Sequence, residues 1–141
     1  MPVYNAAKKS LFDQNPSIDL DTDTIKVALL ANTYTPDIDA HTFFSDVSAD
    51  EISGTGYTAG GETLANATVT QDNTNDRAAF DADDVVWANA TVTARYAVIY
   101  KDTGTPSTSP LIAYIDFGSD KSSSAADFTI QWNADGIFTL T

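Results

Sequence analysis

The chain has 141 residues and no cysteine, and it sets 20 acidic residues against 7 basic ones for a formal net charge of -13. That balance argues against nucleic acid and anionic membranes as partners, because both are bound by Lys and Arg acting on phosphates. The missing thiols exclude a disulfide framework and a thiolate metal site, while 43% hydrophobic residues suit one domain, 1–141, with a real core.

No apolar run approaches the roughly 20 residues of a membrane helix. The start, Met1-Pro2-Val3-Tyr4-Asn5, lacks the apolar stretch and cleavage site of a secretory leader, so synthesis and folding in a cytoplasm are expected. The acidity reads first as a solubility device.

In chain order, residues 1–16 form a helical segment and 17–141 a sheet domain. Tyr4 to Gln14 is the helix candidate, rich in Ala, Lys and Leu. Tyr4, Ala7 and Leu11 form its apolar stripe, with Phe12 beside it, and Pro16 ends it. Ile25–Leu30 reads as the first strand, with Ile25, Val27 and Leu29 on one face. Between Ala31 and Gly61 the pattern breaks up. Tyr34-Thr35-Pro36-Asp37 is a turn, and His41 to Ile52 suits a short helix carrying Phe43, Phe44, Val47 and Ile52 inward. Gly54 to Gly61 is a glycine loop. Thirty residues with so little regular structure often mark a binding loop.

Thr63–Thr70 is a Thr-rich strand, Gln71–Asp76 a polar turn and Arg77–Phe80 a short strand. Val85-Val86-Trp87 leads into a long strand, Thr91–Lys101. Its alternation sets Val92, Ala94, Tyr96, Val98 and Tyr100 on one face, with Ile99 the apolar exception opposite. A rim loop from Asp102 to Pro110 precedes the strand Leu111–Phe117. A Ser-rich loop, Gly118–Asp127, follows. Phe128–Trp132 and Ile137–Leu140 flank Asn133-Ala134-Asp135-Gly136, where Asp-Gly signals a hairpin. Seven or eight strands with one terminal helix predict a mainly β chain, an antiparallel β-sandwich or jelly-roll-like barrel.

No residue cluster dictates a chemistry. Asp19-Leu20-Asp21-Thr22-Asp23 opens like a calcium loop, but Thr24 and Leu30 stand where that motif needs Gly and Glu. Looser oxygen clusters occur at Asp81, Asp83 and Asp84 and at Asp72, Asn75 and Asp76, with a solvated acidic turn as the plainer reading. Gly54-x-Gly56 and Gly60-Gly61 lack the following Lys-Ser/Thr or helix of a phosphate cradle. His41 is the single histidine, which leaves triad or multi-histidine metal chemistry resting on one residue. With so many acids, a close carboxylate pair carries no weight as a glycosidase signal. Trp87, Trp132, Tyr57, Tyr96, Tyr100 and Tyr114 could build a sugar platform, yet core packing explains most of them. Tyr57 in the glycine loop is the best exposed candidate.

Several stretches resemble small proteins encoded among the virion genes of tailed bacteriophages. They are Ile18–Leu30, Tyr34-Thr35-Pro36-Asp37, Gly54-Thr55-Gly56-Tyr57 and Ala94–Asp102, and the resemblance runs nearly end to end. It implies a non-enzymatic virion structural protein, a capsid decoration or cement protein on the outer surface of the head. Its partner there is the major capsid protein, and it acts as a homodimer or homotrimer. The alternative is a tail, baseplate or fibre component with a carbohydrate-binding role near Tyr57. No catalytic residue, metal or cofactor comes with the resemblance. The expected capsid or inter-subunit contacts are Tyr4, Lys8, Lys9, Phe12, Tyr34, Phe43, Phe44 and Tyr57.

Overall fold

The computed structural model describes residues 1–141 as a mainly β chain of two antiparallel sheets and one short N-terminal helix. The helix is α1 (Asn5–Asp13), and the strands are β1 (Ile25–Leu30), β2 (Glu62–Thr63), β3 (Thr68–Asp72) and β4 (Arg77–Asp81). They continue with β5 (Val85–Lys101), β6 (Leu111–Ile130) and β7 (Phe138–Leu140). The larger sheet has the order β2-β1-β5-β6 and the smaller β3-β4-β7.

Two apolar clusters lie on opposite faces of the larger sheet. Ile25, Val27 and Leu29 of β1 join Trp87, Ile99 and, from the smaller sheet, Phe80 in the first cluster. Ala28 and Leu30 alternate to the other face, where Tyr4, Tyr34, Phe44 and Val47 close a second cluster over Val98, Tyr100 and Leu111. A strand covered on both faces has no wet side, so β1 is apolar throughout except for Lys26.

The segment 31–61 supplies much of that second cover, and this is its structural role. It holds two single 3-10 turns, Phe44–Asp46 and Ser48–Asp50, in place of the expected helix. Of the four apolar side chains expected inward, Phe44 and Val47 are buried, whereas Phe43 and Ile52 are half-buried. Phe44 stacks on Tyr100 at 4.2 Å between ring centroids and 5° between planes. Gly61 locks the far end. Its φ is +77°, and a Cβ there would stand 1.9 Å from the Val27 carbonyl oxygen, so only glycine lets the two backbones touch.

The expected strand Thr63–Thr70 is interrupted: Glu62–Thr63 pairs with β1 and Thr68–Asp72 with β4, and residues 64–67 between them are in no strand. Three further expectations need correcting. The stripe expected along Thr91–Tyr100 switches faces at Arg95. Ala94 pairs with Lys121 and Tyr96 with Asp116, so Arg95 alone stands opposite residues 117–120. Through this bulge Val92 and Ala94 share the first cluster with Ala97 and Ile99, while Val98 and Tyr100 enter the second. The Ile99 exception is therefore the core-facing register of the strand's last third.

The Ser-rich loop Gly118–Asp127 is in fact the middle of β6, paired with β5 from Ala90↔Ala126 to Ala94↔Lys121. Small hydroxyl side chains serve there because this stretch of β6 is almost wholly exposed. The C-terminal hairpin does not form either. The turn at Asn133–Gly136 carries the chain from β6 to the other sheet, where β7 pairs with β4 through Phe80↔Phe138 and Ala78↔Leu140. Gly136, at φ +107°, would set a Cβ 2.8 Å from the Phe80 carbonyl oxygen, and the Ile137 N–H donates to that oxygen at 2.8 Å. Arg77 on β4 holds Asp135 at 3.0 Å, which ties the turn to its new neighbour.

Candidate functional surfaces

The helix docks by its small residues. Ala7 and Ser10 are buried and Ala6 half-buried, with the Ser10 hydroxyl donating to the Pro16 carbonyl at 2.5 Å. Tyr4 precedes the helix and pairs with β6, its N–H donating to the Ile112 carbonyl at 3.0 Å. Burying Ala7 and Ser10 turns the opposite arc outward. At 100° per residue that arc carries Leu11, Lys8 and Phe12 side by side. Leu11 is 61% exposed and Phe12 93%. The expected stripe of Tyr4, Ala7 and Leu11 is thus rotated, because Ser10 and not Leu11 faces the sheet.

The eight residues expected at contacts divide cleanly. Lys8, Lys9 and Phe12 lie outside on α1. Tyr4, Tyr34 and Phe44 are core, and Phe43 is half-buried in a bridge to Pro110. The hydroxyls of Tyr4 and Tyr34 lie 2.6 Å apart, with the Tyr34 hydroxyl 3.5 Å from Nδ1 of His41. Burial pushes the Tyr4 phenol well up from its usual range and Tyr34 up to about 12, so both stay neutral donors inside the fold.

Tyr57 is half-buried, and its hydroxyl is engaged in the fold. Its hydroxyl accepts from the Leu29 N–H at 3.0 Å and donates to Oε1 of Glu51 at 2.7 Å. The Gly60 N–H donates to the same Oε1 at 2.6 Å, and the Tyr100 hydroxyl donates to the Gly60 carbonyl at 2.6 Å. Burial first, and then the Glu51 carboxylate, drive the Tyr57 phenol far upward. The side chain is half-buried, with its ring centroid 6.0 Å from that of Trp87. These bonds clip the glycine loop onto the sheet through the Tyr57 hydroxyl.

A polar groove of about 480 Å³ lies beside this clip, lined by Glu51, Thr91, Thr93 and Ser123 among others. Three of its four hydroxyls have partners, Ser53 being the exception. Ser123 donates to the Ala90 carbonyl, Thr91 accepts from the Ala125 N–H, and Thr93 pairs with Ser122. The acidic turns are likewise committed to the fold. Asp72 accepts from the Asn75 side chain and from Nε of Arg77, and these bonds hold its carboxyl down at about 2. Asp83 accepts from the Asn66 amide and Asp84 from the Trp132 N–H. No three His, Asp or Glu side chains converge as a cation site.

A second groove, open and about 850 Å³, ends the smaller sheet. Gln71, Ala78 and Leu140 form one cross-strand row there, and Val69 flanks it. Val69 is 46% and Leu140 63% exposed. Phe12, Lys8 and Lys9 of the helix are among the expected contacts, whereas Leu11 and this groove are not. The only available signals were Leu11 and Phe12 being adjacent, and so unable to share one narrow stripe, and an apolar residue next to the last position.

Charge is distributed with equal clarity. Five of the seven basic residues sit in ion pairs: Lys9–Asp13, Lys26–Asp102, Arg77 with Asp72 and Asp135, Arg95–Asp116, and Lys101–Asp23. Lys8 and Lys121 have no carboxylate partner, and Lys8 instead donates to the Asn5 side chain at 3.0 Å. The acid surplus is therefore left largely unneutralised over the rest of the molecule. No protein-family model matches the chain, and neither a curated protein nor a solved structure matches it.

Proposed function

We propose that the chain is a virion structural protein of a tailed bacteriophage, a decoration or cement protein bound to the outside of the head at junctions between major capsid subunits. The observation that carries this reading is the charge distribution, joined to the resemblance of Ile18–Leu30 and Ala94–Asp102 to phage virion proteins. With most cations neutralised in place, the surface repels a phosphate backbone, which disfavours an inner position against packed DNA and favours the outer one. A capsid offers many copies of each junction, so modest contacts become persistent through avidity. Most of the polar side chains described above are spent on holding the fold, as a protein acting by shape requires.

The test adds purified chain to heads assembled without it. Saturable binding in proportion to lattice sites, with heads that then resist heat or osmotic shock, is the expected result. Heads that stay bare while the chain labels tails would overturn the reading.

A further inference from the structure

We infer that the chain associates with itself head to tail, the α1 ridge of one copy seating in the groove at the open end of the smaller sheet of the next. This inference concerns the free protein and stands apart from the decoration reading.

The two surfaces are complementary in chemistry. The ridge is apolar, Leu11 and Phe12, with Lys8 between them on the helix surface. Lys8 and Lys9 against Asp13 give α1 a charge of +1, so a total of -13 leaves -14 on the remainder. A partner for the ridge must be apolar at its centre and acidic at its rim. The groove supplies both kinds of residue, in a lining that is otherwise polar, with Thr70, Gln71, Asn73 and Thr141. Val69, Ala78 and Leu140 are its apolar lining, and Asp76 on its rim has no basic partner within the molecule. Arg77, the groove's one cation, is already claimed by Asp72 and Asp135. The groove is open and shallow, about 850 Å³, as a surface that receives a helix ridge rather than a small molecule would be.

Joined this way, Phe12 and Leu11 leave water against Leu140 and Val69, and the unpaired Lys8 meets the unpaired Asp76 of the next copy. Because ridge and groove are different patches, the contact is heterologous, and repetition closes a ring or extends a filament.

Sedimentation of the full chain tests this. The wild type should form concentration-dependent oligomers, weakened by high salt. Phe12→Ser and Leu140→Ser change exposed side chains, so both should fold as wild type by circular dichroism and each should weaken association about tenfold or more. Mixed together, they retain one intact ridge and one intact groove, so the mixture should stop at a heterodimer. Lys8→Glu should dissociate the oligomer, and Lys8→Glu with Asp76→Lys in one chain should restore it. A wild type that remains monomeric at about 1 mM, a concentration that detects even millimolar dissociation constants, overturns the inference. So does an oligomer that ignores Phe12→Ser, or Leu140→Ser homodimers with no heterodimer in the mixture. Head binding is read in a separate assay, and its failure would leave this result standing.

Discussion

The two ends of the β5–β6 hairpin belong to one ladder and obey different rules. Near its loop end, Ala97, Val98, Ile99 and Tyr100 are all buried, because the smaller sheet's cluster lies on one face and the 31–50 cover on the other. In its middle, Val92 and Ala94 are buried while Thr91 and Thr93 are exposed, and facing residues of β6 are mostly Ser and Ala. Alternation is a property of a strand with one wet face. Where a third layer arrives, it disappears, and the bulge opposite Arg95 marks the junction between the two regimes.

The largest effect that sharpens this contrast is truncation in the closed end. Ile99→Ala removes a fully buried side chain and should cost about 2–5 kcal/mol in chemical denaturation. Tyr57→Phe comes next. It strands the Leu29 N–H and takes a donor from Glu51, so a loss of about 1–3 kcal/mol is expected, with faster hydrogen exchange across 51–61. Thr93→Ala, in the open middle, breaks an exposed bond to Ser122 and should stay within about 0.5 kcal/mol. Equal costs for Ile99→Ala and Thr93→Ala would erase the distinction.

Acid should act on the turns before it reaches either cluster. The Asp72 carboxyl is held at about 2, below its usual value of about 3.8, by the Asn75 side chain first and Arg77 second. A depressed folded value contributes stability above the unfolded one and loses it as pH falls through the folded one. Thermal stability should therefore drop between about pH 4 and pH 2. Asp72→Asn should flatten that part of the profile, since its amide does not titrate there. An unchanged profile would show that Asp72 does not set the acid limb.

Much of the fold was legible because short-range chemistry dictated it. Ala, Lys and Leu before Pro16 specified a helix, Ile25–Leu30 a strand, and Asn73–Asp76 a turn, with Gln71 and Asp72 of the expected turn drawn into β3. What stayed hidden depends on distant partners. Nothing local says that Lys121–Ala126 pairs with Ala90–Ala94, since serine is a poor signal of strand and the pairing partner lies some distance back in the chain. The Asp-Gly turn reads as a hairpin unless one knows that Phe80 waits with a free carbonyl and Arg77 with a cation for Asp135. The surfaces were harder still. Tyr4, Tyr34 and Phe44 look like contacts because aromatics in irregular segments so often are, whereas here they close a second core, and Tyr57 packs against the first. Phe12 and Lys8 remain outside because Ala7 and Ser10 let the helix sit close to the sheet.

The most direct measurement is a cryo-electron microscopy reconstruction of the particle whose genome encodes this chain, at a resolution that distinguishes a β-sandwich of this size. The account predicts density for it on the outer face of the head, repeated at the junctions between capsid subunits, with its acid-rich surface toward solvent. Purified particles that lack the chain, or that carry it on the tail or inside the shell, would contradict the account.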